Sequence, residues 1–227
     1  MLQNNLIITG ASSKSGFYFL KILESFKFKK RIVIILRDKS QKDLFKKLKL
    51  NIGFIFLDLK NIHKHLRTEM FHDYVFLHIA GIFYSKLILK FCIKNKVRWL
   101  ICVHTSGKFS LFKKEANYYN NIDRCIKLFR KDLNITILYP TMIFGTVNDG
   151  NISRLIRFIN KSIVFPIIGD GRNSIQPIYY QDLSMAYYRI ILNYRKTNNK
   201  EYLLSGYEPL EFRKVLLVIN NILNKKT

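Results

Sequence analysis

Residues 6–19, LIITGASSKSGFYF, place an apolar run before a turn bounded by Gly10 and Gly16, and a second apolar run follows where a helix should begin. Small side chains at such a turn let a diphosphate come close to the backbone. A helix starting there adds unpaired N–H groups and the positive end of its dipole. Ser12, Ser13 and Ser15 keep the turn small and carry hydroxyls able to donate hydrogen bonds. An ordinary βα turn shares much of this composition. The placement favours a dinucleotide site: a strand opens the chain, Thr9-Gly10 follows, and Gly16 sits just inside the helix. His78 and His104 fall at the ends of later strands near the same cleft, where a lone His is more often a satisfied structural residue than an acid or base.

The elements that would position these residues alternate in type. Short apolar runs at 6–9, 31–36, 52–57, 74–79, 99–104 and 135–138 read as strands. Helical periodicity starts near Lys14, Gln41, Ile62, Phe83 and Lys113, and Ile122, Ile126, Phe129 and Leu133 form one apolar face. This pattern predicts an α/β fold, a doubly wound parallel Rossmann sheet buried on both faces. After Pro140, the breakers Gly145, Gly150, Pro166, Gly169, Gly171 and Pro177 precede two further helices at 182–192 and 210–223. The expected division is a dinucleotide-binding core over 1–145 and a small carboxy-terminal lobe over 146–227, packed on the same domain.

With 227 residues and 48% hydrophobic composition, the chain can bury one large core and is no disordered polyelectrolyte. Its 39 Lys and Arg against 15 Asp and Glu give a net charge of +24. Because the basic residues are dispersed, and Lys, Asn, Ile and Phe are abundant together, compositional drift accounts for them better than a nucleic-acid surface does. A charge of this size still attracts phosphorylated ligands over long range. Cys92, Cys102 and Cys125 are isolated, which points to reduced thiols and to neither zinc nor disulfides. A strand beginning at Leu6 leaves no room for a secretory leader, and the apolar stretch 74–93 is broken by His78, Lys86 and Lys90. A cytoplasmic protein with no membrane span is expected.

The turn TGASSKSG resembles the TGxxGxxG turn of the NAD-dependent epimerase/dehydratase family of extended and atypical short-chain dehydrogenases, with Ser13 in place of the middle Gly. Further matches follow in order. Phe56-Leu57-Asp58-Leu59 resembles the family's acidic-Leu pair at the adenine ring, and Phe76-Leu77-His78-Ile79-Ala80-Gly81 its strand end beside the cofactor. TILYPTMIFG over 136–145 is similar to the segment in which Pro140, Thr141, Met142 and Ile143 would line the nicotinamide side. QPIYYQDL over 176–183 resembles the hinge into the substrate lobe, and LSGYEPL over 204–210 the late strand-turn-helix. The resemblance spans nearly the whole chain. It implies bound NAD or NADP, a small-molecule substrate such as a nucleotide-activated sugar, and a homodimer as one form open to the chain.

Cofactor choice has a physical argument of its own. An acidic residue at the end of the second strand accepts both ribose hydroxyls and favours NAD, whereas Arg favours the extra phosphate of NADP. Here Leu36 is followed by Arg37, Asp38 and Lys39, so NADP is mildly preferred, while Asp38 keeps NAD in play.

The resemblance also implies a Ser or Thr after the fifth strand and a Tyr-x-x-x-Lys pair, in which Lys lowers the Tyr pKa for proton transfer. Ser106 stands at the first position, but the pair is missing: counting back from Pro140 puts Asn117 and Asn121 there. Tyr118 and Tyr119 stand alongside as candidate substitutes, with Arg124 or Lys114 as cation, and packing or capping roles are as good a reading for both tyrosines. Substrate contacts are expected from Asn151, Arg154 and Gln176, Arg154 being suited to a diphosphate. Two functions are open, an epimerase/dehydratase or reductase, and a cofactor-binding sensor or assembly module without turnover. Nucleic-acid binding is the least favoured.

Overall fold

The structure, a computed structural model, describes residues 4–64, 71–111, 114–147, 149–162, 167 and 169–224. Its centre is a parallel sheet built from β1 (Asn5–Thr9), β2 (Ile32–Leu36), β3 (Ile52–Phe56), β4 (Tyr74–His78), β5 (Trp99–Val103) and β6 (Asn134–Pro140). Strand β10 (Glu201–Leu204) completes the sheet beside β6, giving the order β10-β6-β5-β4-β1-β2-β3. The order reverses between β1 and β4, and the crevice outside the carboxyl ends of those strands is where such sheets bind ligands.

Side-chain alternation along each strand sorts the core into two layers. Leu6, Ile8, Ile32, Ile34, Leu77 and Ile101 face α1 (Lys14–Ser25) and α5 (Tyr180–Leu192), meeting Phe19, Leu20, Leu183 and Tyr187. Ile7, Val33, Ile35, Phe76, Leu100 and Ile137 face the other way, onto Ile88 and Leu89 of α2 (Ser85–Lys94) and Ile122 and Ile126 of α3 (Ala116–Leu128). Burial on both faces explains why β2 and β5 are apolar throughout.

The expected helices near Gln41 and Ile62 are instead short 3₁₀ segments, Lys39–Phe45 and Leu59–Lys64. In the first of these Phe45 is the one buried residue, too little apolar face to hold a longer helix on the sheet. The start near Lys113 lies outside the described residues, and the helix itself is described from Ala116. The helix expected at 210–223 begins two residues late, because Leu210 and Glu211 pair with Ile175 and Ser174 as β11 (Leu210–Glu211) and β8 (Ser174–Ile175).

Beyond residue 145 the chain serves both the lobe and the sheet. Strand β7 (Ile143–Phe144) pairs with β9 (Ile178–Tyr179), and α4 (Ile152–Lys161) packs on α7 (Phe212–Ile222) through Ile159, Val215, Leu216 and Ile219, a core separate from the two sheet layers. Between these pieces, α5 returns to cover the sheet, and α6 (Tyr194–Thr197) leads into β10. Among the described residues, no helix is long and apolar enough to cross a membrane.

Candidate cofactor cleft and its surroundings

At the carboxyl end of β1, Gly10 takes φ +74°, and a Cβ there would lie 2.6 Å from the backbone nitrogen of Ala80. Both facts require glycine: the left-handed conformation, and the close approach of the β1 and β4 ends. A Cβ on Gly16 would meet the carbonyl of Gly10 at 2.5 Å, which keeps the first turn of α1 tight against the loop. Ser13, in the place of the middle glycine, is the N-cap of α1, its Oγ accepting the N–H of Gly16 at 3.1 Å. That amide is thereby used, and the other amides of the first turn remain those a helix leaves without an intrahelical acceptor. No acidic residue stands in this turn to repel an anion. Ser15 is buried away from the cleft, its carbonyl taking a 2.8 Å bond from Ser184 of α5.

A cleft of about 180 Å³ brings together Gly10, Ser12, Arg37, Asp58, Leu59 and Ala80 from the ends of four strands. Asp38 spends one carboxylate oxygen on its own turn, accepting the Ser40 N–H at 2.9 Å, and that bond holds its pKa below the usual range. Arg37 is exposed at the cleft wall. Asp58 likewise accepts the Lys60 N–H at 2.9 Å, fixing the loop after β3. Ile79 donates its N–H to Thr9 at 3.1 Å and packs on the core, and Gly81 opens the short turn Ile82–Tyr84. Pro140, the last residue of β6, is buried. Thr141 donates to the carbonyls of Leu204 and Gln176, Met142 is part-exposed, and Ile143 lies in β7.

Both histidines are buried, His78 with its Nε2 lacking a hydrogen-bond partner among the described residues. His78 is fully buried, its Nδ1 lying 2.7 Å from Thr9 Oγ1, and burial pushes its pKa down to about 3. His104 accepts the Thr105 N–H at Nδ1 and meets the Tyr119 carbonyl at 3.2 Å through Nε2. Burial pushes its pKa down to about 4 against the opposing charge of Asp123. Accepting on one nitrogen and donating on the other defines a neutral ring.

Ser106 begins the 3₁₀ turn Ser106–Phe109, capped by Thr105 Oγ1 on the Gly107 N–H. Tyr118 is half-exposed with its ring 5.5 Å from that of Phe83, and Tyr119 packs edge-on to His104. Asn117 and Asn121 are exposed on α3.

The same region holds a cluster that the spacing of motifs did not reveal. Lys108 Nζ, buried, donates to Asp123 Oδ2 at 3.0 Å and to the Tyr139 hydroxyl at 2.9 Å, lying 4.1 Å from the Tyr139 ring centroid. The Tyr139 hydroxyl also bonds Asp123 Oδ1 and meets Glu201 Oε2 at 3.0 Å. Lys127 joins both carboxylates, and Arg130 adds a bond to Glu201. Burial pulls the carboxyl of Asp123 upward, but the bonds from Tyr139, Lys108 and Lys127 outweigh it and hold the group below the usual range. Tyr139 goes the other way: burial and then the two carboxylates drive its phenol far above the ordinary value. A Tyr–Lys contact therefore exists, on β6 and the Ser106–Phe109 turn, with the charges arranged to keep the phenol protonated. The only trace in the sequence is Asp123 within the apolar face of α3.

In the lobe, Asn151 Nδ2 donates to the Ile143 carbonyl at 3.1 Å, closing the loop ahead of α4. Asp149 organises that loop by accepting the N–H groups of Gly145, Asn151 and Ser153. Arg154 is exposed on α4. Gln176 Nε2 donates to the Gly206 carbonyl at 2.8 Å, tying the two connections between lobe and sheet. Asn151 and Gln176 thus spend these amide groups on the protein itself.

Comparison with solved structures finds this fold widely. UDP-glucuronic acid 4-epimerase from Bacillus cereus, in complex with NAD, matches with a TM-score of 0.80 at 16% identity, covering 98% of this chain and 84% of the other. The dTDP-glucose 4,6-dehydratase from Bacillus anthracis, in complex with NAD, gives 0.80 at 13% identity, covering 99% and 82%. UDP-glucose 4-epimerase from Thermotoga maritima, with UDP-glucose, gives 0.70 at 15% identity, covering 98% and 84%. The resemblance read from the motifs thus holds for the fold. No curated protein matches the chain. The saccharopine dehydrogenase NADP binding domain matches residues 6–123, which run from β1 through the cleft into α3, and the chain is a member of this family of NADP-binding Rossmann domains.

Proposed function

We propose that the protein binds NADP(H) in preference to NAD(H) and uses it in an epimerase/dehydratase- or reductase-type reaction. Its substrate would be a small carbonyl or hydroxyl compound of the nucleotide-activated sugar kind. The observation that carries this reading is the cleft at the β1/β4 crossover, where Gly10, Ser12, Arg37, Asp58 and Ala80 meet. The cofactor fits the residues there: the first-turn amides of α1 suit the diphosphate, Asp58 and Leu59 border the adenine end, and Arg37 suits a 2′-phosphate. Asp38 is less suited to ribose, with one oxygen turned to Ser40. The bound dinucleotide would supply hydride exchange, and the protein would hold the substrate near Ser106 and move protons through Ser106, Tyr118 or Tyr119. The nucleotide sugars bound or acted on by the structural relatives support the substrate class. The test is a fluorescence titration with NADPH and NADH, followed by a panel of UDP- and dTDP-sugars and simple carbonyl compounds. No binding of either nucleotide removes the proposal, and binding without redox change across the panel removes its catalytic half.

A second reading, cofactor binding without turnover in a sensor or assembly role, is favoured by one observation. The Lys108–Asp123–Tyr139 cluster holds its phenol protonated, while Asn117 and Asn121 occupy the positions of the expected acid–base pair. Asn117→Tyr combined with Asn121→Lys separates the readings. Turnover in the parent protein eliminates the sensor; turnover gained with the double substitution favours it.

A further inference from the structure

At the opposite, amino-terminal edge of the sheet lies a cavity of about 620 Å³, lined by Lys30, Arg98, Tyr194, Arg195 and Lys196 among others. Asn5, the first residue of β1, borders it, and Gly10, just past the last, borders the cofactor cleft. Five strand residues, roughly 16 Å, separate the two. Four cations from three places in the sequence converge on this cavity, and Asp73 is the one carboxylate in its lining. Among the described residues, none of the four forms an ion pair. All four side chains are exposed at the rim of this concavity, where like charges brought together attract an anion.

The walls are held in place. Arg98 stacks over Tyr194, its guanidinium carbon 5.2 Å from the ring centroid. Tyr194 is fixed by an edge contact with buried Trp99 and by a 3.1 Å bond from Asn134 to its hydroxyl. The helix α6, which carries Arg195 and Lys196, is pinned by Thr197: its carbonyl accepts from Thr136 Oγ1 at 2.7 Å and its hydroxyl donates to Ile190 at 2.8 Å. The positioned guanidinium offers paired donors to phosphate oxygens, and the ammonium groups add point charges around it.

We infer that this cavity is a second ligand site, distinct from the cofactor cleft, for a small molecule bearing a polyphosphate chain. Its test uses the full protein with the cofactor cleft saturated with NADPH, titrated by calorimetry with ATP and with inorganic tripolyphosphate. Arg98→Gln combined with Lys196→Gln should weaken binding of these probes roughly tenfold or more, the loss expected of charge-assisted bonds, with NADPH affinity unchanged and the melting temperature lowered by no more than about 2–4 °C, the loss of one exposed Arg–Tyr stack. Equal affinity for both probes assigns the site to the phosphate chain alone. Tighter ATP binding adds a nucleoside contact, and both outcomes support the inference. Three results overturn it: no heat of binding at low salt, binding indifferent to the double substitution, or displacement of both probes by a 20-nucleotide single-stranded RNA that binds more tightly, which would make the face a nucleic-acid surface.

Discussion

Acid should destabilise this protein well before its carboxylates begin to protonate, and His78 should account for much of the effect. Its pKa is pushed down to about 3 by complete burial, whereas an unfolded His titrates near 6.5. A folded value below the unfolded one means that the contribution is whole above pH 6.5 and is lost as pH falls from there towards the folded value. Between pH 7.5 and 5.5 the unfolded chain gains a proton at this residue that the native state refuses, a loss of ~1.4 kcal/mol. His104, pushed down to about 4, acts in the same direction, so the fall is ~2–3 kcal/mol for the pair, a large part of a stability of 5–15 kcal/mol typical of such domains. Asp123, Asp149 and Glu201 are all held below their ordinary range, so their losses come at lower pH and leave this window clear. Urea unfolding followed by far-ultraviolet circular dichroism at the two pH values, at constant ionic strength, measures the fall. His78→Asn keeps a hydrogen-bonding group near Thr9 Oγ1 but does not titrate, and its fall should be smaller than the parent's by ~1.4 kcal/mol. If the variant and the parent lose the same stability, His78 is not the titrating group and the argument from its burial fails.

Other substitutions probe the cleft and the buried cluster. Arg37→Gln should weaken NADPH roughly tenfold, the lower end for an exposed charge-assisted contact, and leave NADH unchanged in fluorescence titrations. A parallel loss for both nucleotides would mean that Arg37 does not read the 2′-phosphate. Ser13→Ala should cost about 1 kcal/mol of stability through loss of the cap on Gly16, and Ser13→Gly only a few tenths, as read by urea unfolding. Identical costs would show that the hydroxyl is not capping. Tyr139→Phe should cost about 1–3 kcal/mol, and Asp123→Asn about 3–5 kcal/mol, because it leaves Lys108 buried without a full countercharge. The reverse ranking in urea melts would contradict the assigned network.

Residues close in sequence made most of the fold and the glycines of the first turn readable. The six strands expected from apolar runs lie within one or two residues of their observed ends, because strands buried on both faces have little freedom of composition. The strand β10 escaped that reading: it is a sheet edge with an alternating, half-exposed pattern, and Leu203 is 60% exposed. In the cleft, Gly10 and Gly16 were legible because backbone geometry at a βα turn demands them. In the sequence Ser13 is only a small residue at a glycine position, and its capping role depends on the dihedral angles of one turn. The Lys108–Asp123–Tyr139–Glu201 cluster had no motif to betray it, since its members come from a 3₁₀ turn, a helix and two strands spread over more than ninety residues.

The pairing of β7 with β9 bears on how such a molecule can change over generations. Ile178 donates its N–H to Met142 at 2.9 Å, so the chain re-enters the sheet region beside the point at which it left. Strand β6, helix α5 and strand β10 would remain an unbroken crossover if residues 143–177 were spliced out and the segment after 204 were trimmed. Lengthening, shortening or swapping the graft at this junction leaves the strand order intact, so the lobe can be rewritten without refolding the sheet.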